Sequence, residues 1–217
     1  MENMALIATI VIVAVFFVLR AWEKKIGEML QDELTSALMK GEFDRFDELI
    51  NSRKTRRLIP FFNIDFMKLN AAMMRNDAKT TEELLQRFEK LRLNRTQKEA
   101  VGMKAFYYYL SLSDKDKARH WYQALKEGRD NQPWPQLDRI ADTYVEGGYR
   151  YLDEALQQIR DNEDPMVLAM IADMYANKGD EENHQRYAQR AQKKMEEAMG
   201  SSESENPSQP ADKPSEN

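Results

Sequence analysis

Hydrophobic and polar positions follow one another in blocks along the middle of the chain. Stretches with apolar residues at helical spacing are separated by short polar turns, and each pair of such stretches forms one unit. The five turns are marked by Gly41, Asp77, Ser113, Gly148 and Gly179, at spacings of 36, 36, 35 and 31 residues. A period of about 34 residues with two helices in each unit predicts an array of helical hairpins.

The residues in these turns support the same prediction. Glycine at the end of a first helix permits a left-handed C-cap, which we expect at Gly41, Gly148 and Gly179. Asp or Ser directly after the turn can accept hydrogen bonds from the free N–H groups that begin the second helix. Only 8 Gly and 7 Pro occur among 217 residues, so few residues interrupt helices. We therefore predict an all-α protein.

One nine-residue pattern, which we call the repeated phrase, occurs twice in this part of the chain. IADTYVEGG begins at Ile140 and IADMYANKG begins at Ile171, and both contain Ile, Ala, Asp, Tyr and a final Gly at matching places. Ile, Ala and Tyr are expected to pack one hairpin on the next, while Gly turns the chain. Asp142 and Asp173 are left without a packing role, so we expect them to face a partner.

The hairpin pattern resembles the tetratricopeptide repeat, whose first helix carries an aliphatic, an aliphatic-small pair and a Tyr. The last unit has Leu168, Ile171, Ala172 and Tyr175, followed by Gly179, Asp180, Ala188 and Ala191. The unit before it has Leu137, Ile140, Ala141, Tyr144 and Gly148. The unit at 99–130 has Ala105, Phe106, Tyr109, Ala118, Tyr122 and Leu125. The resemblance is close over 99–194 and looser over 27–98.

Two departures from the repeat pattern are visible. His184 stands where a small residue is expected early in a second helix. Ala155 comes two places late, which predicts a longer turn before its helix.

The resemblance implies a binding protein whose first helices line a groove for an extended peptide or a partner helix. In this register the candidate partner-binding residues are Met73, Met103, Tyr107, Asp138, Asp142, Asp173 and Asn177. The Lys, Asn and Arg set by which some family members hold a C-terminal carboxylate is missing. We expect a mixed apolar and acidic contact surface for a protein or peptide whose identity the sequence does not give.

The first residues predict a membrane anchor. Met4–Leu19 carries no charge over sixteen residues, and Arg20, Lys24 and Lys25 follow it. A bilayer core of about 30 Å needs about 20 helical residues, so this stretch is near the lower limit for a single-pass transmembrane helix. The basic flank favours an N-terminus outside the cell membrane and a cytoplasmic helical domain. A signal peptide fits less well, because the only charge before the apolar run is that of Glu2.

The predicted organisation has three parts. Residues 1–25 form the transmembrane anchor with its basic flank, residues 26–199 form the tetratricopeptide-like domain, and residues 200–217 form a disordered acidic tail. The tail has no apolar residue beyond Ala211 and cannot offset the entropy of ordering. The predicted fold class is therefore all-α, with a transmembrane helix followed by a solenoid of about five antiparallel helix hairpins.

Little in the sequence indicates catalysis. The chain contains no Cys, and its two histidines, His120 and His184, lack ligand partners at helical spacing. Phosphate-binding and nucleophile motifs are also missing, and a net charge of -5 does not suit nucleic acid. We predict a scaffold or adaptor without catalytic residues, metal or cofactor. Two alternatives stay open: an extracytoplasmic envelope chaperone or assembly factor with inverted topology, and a hydrolase with an unrecognised Asp/His site.

Overall fold

The computed structural model describes the backbone of residues 2–160 and 162–204, and the side chains of residues 20–160 and 162–199. Every regular element in these ranges is a helix. The chain divides into two compact units, Met1–Gln97 and Lys98–Asn217. Each unit consists of helices that pack on their neighbours in sequence, which is the arrangement found in helical-repeat proteins.

The first unit contains two hairpins joined by a short connecting helix. Its helices are α1 (Glu2–Met39), α2 (Phe43–Asn51), α3 (Arg53–Leu58), α4 (Phe61–Met74) and α5 (Ala78–Lys90). The side chains of Leu34, Phe46 and Ile50 are at most 2% exposed and join α1 to α2. Leu69 and Leu85 are buried to the same degree in α4 and α5.

The second unit contains three hairpins. Its helices are α6 (Arg95–Ser111), whose first three residues precede the division, α7 (Lys115–Gly128), α8 (Pro135–Ile140), α9 (Leu152–Gln158), α10 (Pro165–Lys178) and α11 (Glu181–Ser204). A π-helical turn, Ala141–Val145, extends α8. Leu168, Ile171 and Met174 are fully buried in the core that α10 forms with α9 and α11.

Most of the predicted turns use one local device. Asn76, Ser113 and Gly179 end their helices with φ values of 54°, 57° and 80°, in the left-handed region. An Asp follows each of them and caps the next helix, as when the Asp114 carboxylate accepts the Lys117 N–H at 3.1 Å. Because this device needs only neighbouring residues, the sequence predicts it well.

The fourth turn is longer than the others, as the late position of Ala155 predicts. The π-helical turn ends at Val145, and α9 begins only at Leu152. Gly147 takes the left-handed conformation here, with a φ of 66°. A regular α10 follows, and Pro165 occupies its first turn as expected for a helix start.

The predicted transmembrane helix requires a correction. In the part of the chain whose side chains the structure describes, no helix is both long enough and apolar enough to cross a membrane. There α1 is amphipathic, because Leu30 and Leu34 are buried in the core while Lys24 and Lys25 are exposed. The side chains of Met4–Leu19 lie outside the described residues, and sixteen residues are fewer than the roughly 20 of a typical span.

Two further predictions depend on that anchor and are wrong for the same reason. They are the membrane localisation and the orientation with the N-terminus outside. The fold class of the described residues is all-α, and no membrane-spanning helix occurs among them. The division at residues 25 and 26 lies within the continuous helix α1, and α11 extends to Ser204, four residues into the predicted tail. Residues 205–217 lie outside the described residues, so the disordered tail and the three-part organisation stay predictions.

Candidate functional site

The second unit has an open pocket of about 570 Å³ on one side of its helices. This volume is within the range of small-ligand and peptide side-chain sites. Four segments of the chain line it: the end of α6, the turn into α7, the π-helical turn and the second half of α10. The lining residues are Tyr107, Leu110, Ser111, Ser113, Lys115, Thr143, Tyr144, Asp173, Ala176 and Asn177. We call it the Tyr107 pocket.

The position of Tyr107 follows from helix geometry. Successive residues of an α-helix are about 100° apart, so the consecutive aromatic residues of α6 cannot all face the core. Phe106 is fully buried and Tyr109 is 5% exposed, whereas Tyr107 is 43% exposed. The Tyr107 ring rests edge-on against Phe106, with 5.3 Å between ring centroids. This contact holds the Tyr107 ring in the pocket wall.

Asp173 lies on α10 and contributes a half-buried carboxylate to the pocket. The Tyr144 hydroxyl lies near this carboxylate in the wall of the pocket. Burial, followed by the nearby charge of Asp173, raises the pKa of Tyr144. Tyr144 therefore stays protonated next to Asp173, and the acceptor capacity of the Asp173 carboxylate remains available to a ligand.

Asn177 lies one helical turn after Asp173 and ties α10 to the preceding hairpin. Its Nδ2 donates to the backbone oxygens of Thr143, at 2.9 Å, and Gly148, at 3.0 Å. Both donors of the side-chain amide are thus committed, and the orientation of the amide is fixed. The Oδ1 acceptor has no protein partner in the described part of the chain.

Thr143 and Lys115 complete the polar part of the pocket. Thr143 is 3% exposed, and its Oγ1 is buried without a hydrogen-bond partner among the described residues. Native proteins leave few buried hydroxyls in this state, because an unmade hydrogen bond costs free energy. Lys115 is exposed and makes no ion pair with a described residue.

Asp142, the counterpart of Asp173 in the repeated phrase, lies elsewhere. It is 9% exposed, and its Oδ2 accepts the Arg150 N–H at 3.0 Å. A Cβ atom on Gly148 would lie 2.6 Å from the same oxygen, so only glycine leaves room for the carboxylate. The Asp142 backbone oxygen also accepts the Gly148 N–H at 2.7 Å. Asp142 therefore holds the turn after the π-helical segment.

Asp138 is also engaged within the unit. Its Oδ1 accepts a hydrogen bond from the Tyr122 hydroxyl at 2.8 Å, and its Oδ2 accepts the Trp134 N–H at 3.0 Å. Burial, then this hydrogen bond and the charge of Asp138, raise the pKa of Tyr122. Asp138 joins α7 to the start of α8 and does not line the pocket.

The two predicted methionines are placed separately. Met103 is half-buried on α6, and Met73 is half-buried on α4 in the first unit. Neither of them lines the Tyr107 pocket. Of the seven predicted groove residues, the pocket brings together Tyr107, Asp173 and Asn177.

Neither histidine belongs to a cluster of metal ligands among the described residues. His184 Nδ1 lies 3.0 Å from the backbone oxygen of Ala172, and His120 packs on Trp121 at a centroid distance of 5.8 Å. No group of three or more His, Asp or Glu that could hold a metal ion occurs among the described residues.

Sequence reasoning missed several residues of the pocket. The sequence gives Tyr144 only a packing role, and it gives no role to Lys115, Thr143 and Ala176. Tyr144 could have been found, because its hydroxyl needs a partner if the ring packs inside, and the nearest acceptor in the following unit is Asp173. Thr143 depends on the π-helical turn, which rotates the side chains that follow Asp142.

Searches of protein-family models, of curated proteins and of solved structures find no match to this chain.

Proposed function

We propose that this protein is a non-enzymatic interaction scaffold built from tetratricopeptide-like hairpins, and that its second unit binds a segment of a protein partner in the Tyr107 pocket. The proposal includes the finer family assignment, for which the helix pairs supply the support. Each of the five turns marked in the sequence lies between two consecutive helical segments. Leu168, Ile171 and Ala172, which the repeat pattern assigns to packing, are at most 2% exposed.

The observation that carries the proposal is the convergence of Tyr107, Asp173 and Asn177 on one open pocket. These residues come from two hairpins that are 66 positions apart in the chain, counted from Tyr107 to Asp173. The pocket combines an exposed aromatic ring, aliphatic surface from Leu110 and Ala176, and fixed polar groups. Aromatic anchors next to a few oriented polar groups are typical of sites that hold side chains of a partner.

Photo-cross-linking tests this proposal in cells. A benzoylphenylalanine at Tyr107 reports on the pocket, and the same residue at Tyr149 is the matched control. Tyr149 belongs to the same unit, is 48% exposed and does not line the pocket. We expect a discrete cross-linked product from position 107 that is absent from position 149.

A second change shows whether the product depends on the pocket. Ala176→Arg places a long side chain in the pocket from an exposed helical position and removes no hydrogen bond of the fold. Ala124→Arg makes the same change at an exposed position of α7 outside the pocket. Ala176→Arg should reduce the yield at position 107 by about tenfold, the effect of about 1.4 kcal/mol in binding. Equal yields with both variants would contradict the proposal.

A further inference from the structure

We infer that the Tyr107 pocket takes a basic side chain, Arg or Lys, of the partner segment, with Asp173 as its counter-ion. This inference rests on the proposed function and names the chemistry of the partner at that same pocket. Its basis is a set of acceptors and aromatic rings that the described part of the protein leaves without a cation.

Asp173 is the central group of this arrangement. Its half-buried carboxylate makes no ion pair with any described residue, and the Tyr144 hydroxyl is a nearby neutral group. A carboxylate has about four such positions and can accept two parallel N–H bonds from one guanidinium. Partial burial removes competing water, so a partner cation gains more here than at an open surface.

Asn177 adds a second acceptor on the same side of α10. It follows Asp173 by four residues, which places both side chains on one face of the helix. Since its two N–H groups bind the oxygens of Thr143 and Gly148, its Oδ1 is left to accept from a ligand. An amide and a carboxylate oxygen on one helix face match the several N–H donors of a guanidinium.

The aromatic rings of the pocket favour a cation as well. In the same unit Lys117 lies 4.9 Å from the centre of the Tyr109 ring, Lys126 lies 5.4 Å from that of Tyr122, and Arg129 lies 4.4 Å from that of Trp134. The chain thus repeatedly places its own cations over its tyrosine and tryptophan rings.

The two tyrosines that line the pocket do not belong to the rings that carry a cation from within the chain. Tyr107 and Tyr144 have no cation over their faces within the described residues. An incoming Arg or Lys would supply the contact that Tyr109 and Tyr122 receive from within the chain.

Thr143 provides an independent indication that the pocket is completed by a ligand. Its side chain lines the pocket and is only 3% exposed, and its Oγ1 has no hydrogen-bond partner among the described residues. A hydroxyl can accept an N–H bond, so it can join Asp173 and Asn177 in holding a donor-rich head group.

Lys115 offers the opposite chemistry and defines the competing result. It lines the pocket without an ion pair and could attract an acidic group. Lys115 is exposed, whereas Asp173 is half-buried next to Tyr144. Since screening by water weakens exposed charges most, we assign the dominant interaction to Asp173.

The test is a fluorine NMR titration of the full-length chain labelled with 3-fluorotyrosine. Tyr107→Phe and Tyr144→Phe assign the two pocket resonances among the 9 tyrosines. The probes are the N-acetyl N-methylamides of arginine, of its neutral analogue citrulline, and of glutamate, at constant ionic strength. Arginine should shift both resonances saturably and bind at least about tenfold more tightly than citrulline, as expected for a charge-assisted contact.

Two variants that replace a carboxylate by an amide show whether arginine binding depends on Asp173. Asp173→Asn should weaken arginine binding by about tenfold. Asp153→Asn, an exposed change in the same unit outside the pocket, should leave it unchanged. Equal shifts with arginine and citrulline, preference for glutamate, or no shift with any probe would overturn the inference.

Failure of the inference and failure of the proposed function give different results. If the pocket binds a partner without using a cation, the cross-link from Tyr107 is lost with Ala176→Arg but persists with Asp173→Asn. If the pocket binds no partner, neither change affects cross-linking from that position.

Discussion

The two copies of the repeated phrase have the same key letters but different backbones. Ala141 and Ala172 are 1% and 2% exposed, so both pack a hairpin on its neighbour as the repeat pattern requires. After them the first copy widens into a π-helical turn, whereas the second remains α-helical through Lys178. Asp142 consequently turns into the fold and binds its own loop, while Asp173 lines an open pocket.

The last two residues of each copy explain why the two backbones differ. The first copy ends in Gly147 and Gly148, and the second ends in Lys178 and Gly179. With Gly147 in the left-handed conformation, the chain turns one position earlier, and Gly148 brings its N–H onto Asp142. A repeated residue therefore has a repeated role in packing but not at the surface.

The largest expected effect tests the close approach of Gly148 to Asp142. In Gly148→Ala the new Cβ would lie 2.6 Å from Asp142 Oδ2, which would have to move and lose the Arg150 N–H. We expect the free energy of unfolding to fall by about 3 kcal/mol. Urea unfolding followed by tryptophan fluorescence measures it in a Trp22→Phe background, where both remaining tryptophans belong to the second unit.

Gly179→Ala is the matched control in the second copy. No atom lies within 4 Å of its added Cβ, so only the positive φ of 80° opposes alanine. The expected loss is about 1 kcal/mol. Equal losses at Gly148 and Gly179 would mean that the carboxylate contact does not distinguish the two copies.

The second prediction compares the two aspartates. Asp142→Ala removes the acceptor for a partly buried N–H of Arg150 and should cost about 2 kcal/mol of unfolding free energy. Asp173→Ala removes only the carboxylate next to the Tyr144 hydroxyl at the edge of an open pocket, which should cost about 1 kcal/mol or less. The same urea experiment measures both, and a reversed order would refute the structural role given to Asp142.

The third prediction concerns the link between the copies. Asn177→Ala removes two hydrogen bonds to backbone oxygens of the first copy and should cost about 1 kcal/mol. Gln189→Ala, at an exposed position of α11, should have no measurable effect. If Asn177 does link the copies, its effect should shrink in the Gly148→Ala background, because the acceptor oxygen of residue 148 is then displaced.

The smallest expected effect is on the pH dependence of the free energy of unfolding. It concerns Tyr144 and Tyr175, the two tyrosines of the repeated phrase. A raised folded-state pKa means that, above pH 10, the unfolded chain loses the Tyr144 proton while the folded chain keeps it. Stability is therefore fully present below the unfolded pKa of about 10 and falls as pH rises above it, by at most about 1.4 kcal/mol per pH unit for one group. Tyr144→Phe should flatten this decline in urea unfolding experiments between about pH 9 and 11.

Tyr175→Phe is the corresponding change in the second copy. Burial is the first cause that raises the pKa of Tyr175, and no hydrogen bond to a carboxylate adds to it. We expect Tyr175→Phe to flatten the decline less than Tyr144→Phe. The opposite order would mean that burial and the adjacent Asp173 carboxylate do not raise the pKa of Tyr144 more than burial raises that of Tyr175.

The sequence predicts the hairpins because their information is local. Asn76 and Ser113 are short polar residues that tolerate the left-handed conformation, and Asp77 and Asp114 cap the helices that follow. The helical period and the positions of these residues therefore suffice to place the turns.

The candidate site is less predictable because its geometry is not local. Asp142 and Asp173 occupy the same place in the same phrase, and they differ only through Gly148 and the π-helical turn. The predicted membrane anchor shows a different limit. The anchor prediction rests on the apolar character of Met4–Leu19 alone. It leaves out that the same helix, α1, continues with an amphipathic part.

The most direct measurement is the yield of the cross-link from position 107 in cells that express Asp142→Asn or Asp173→Asn at equal levels of folded protein. Asparagine at 142 retains an acceptor for the Arg150 N–H, so the pocket should persist and the yield should stay unchanged. Asparagine at 173 removes the charge from the pocket, so the yield should fall about tenfold. A yield that falls with Asp142→Asn and is maintained with Asp173→Asn would contradict the account.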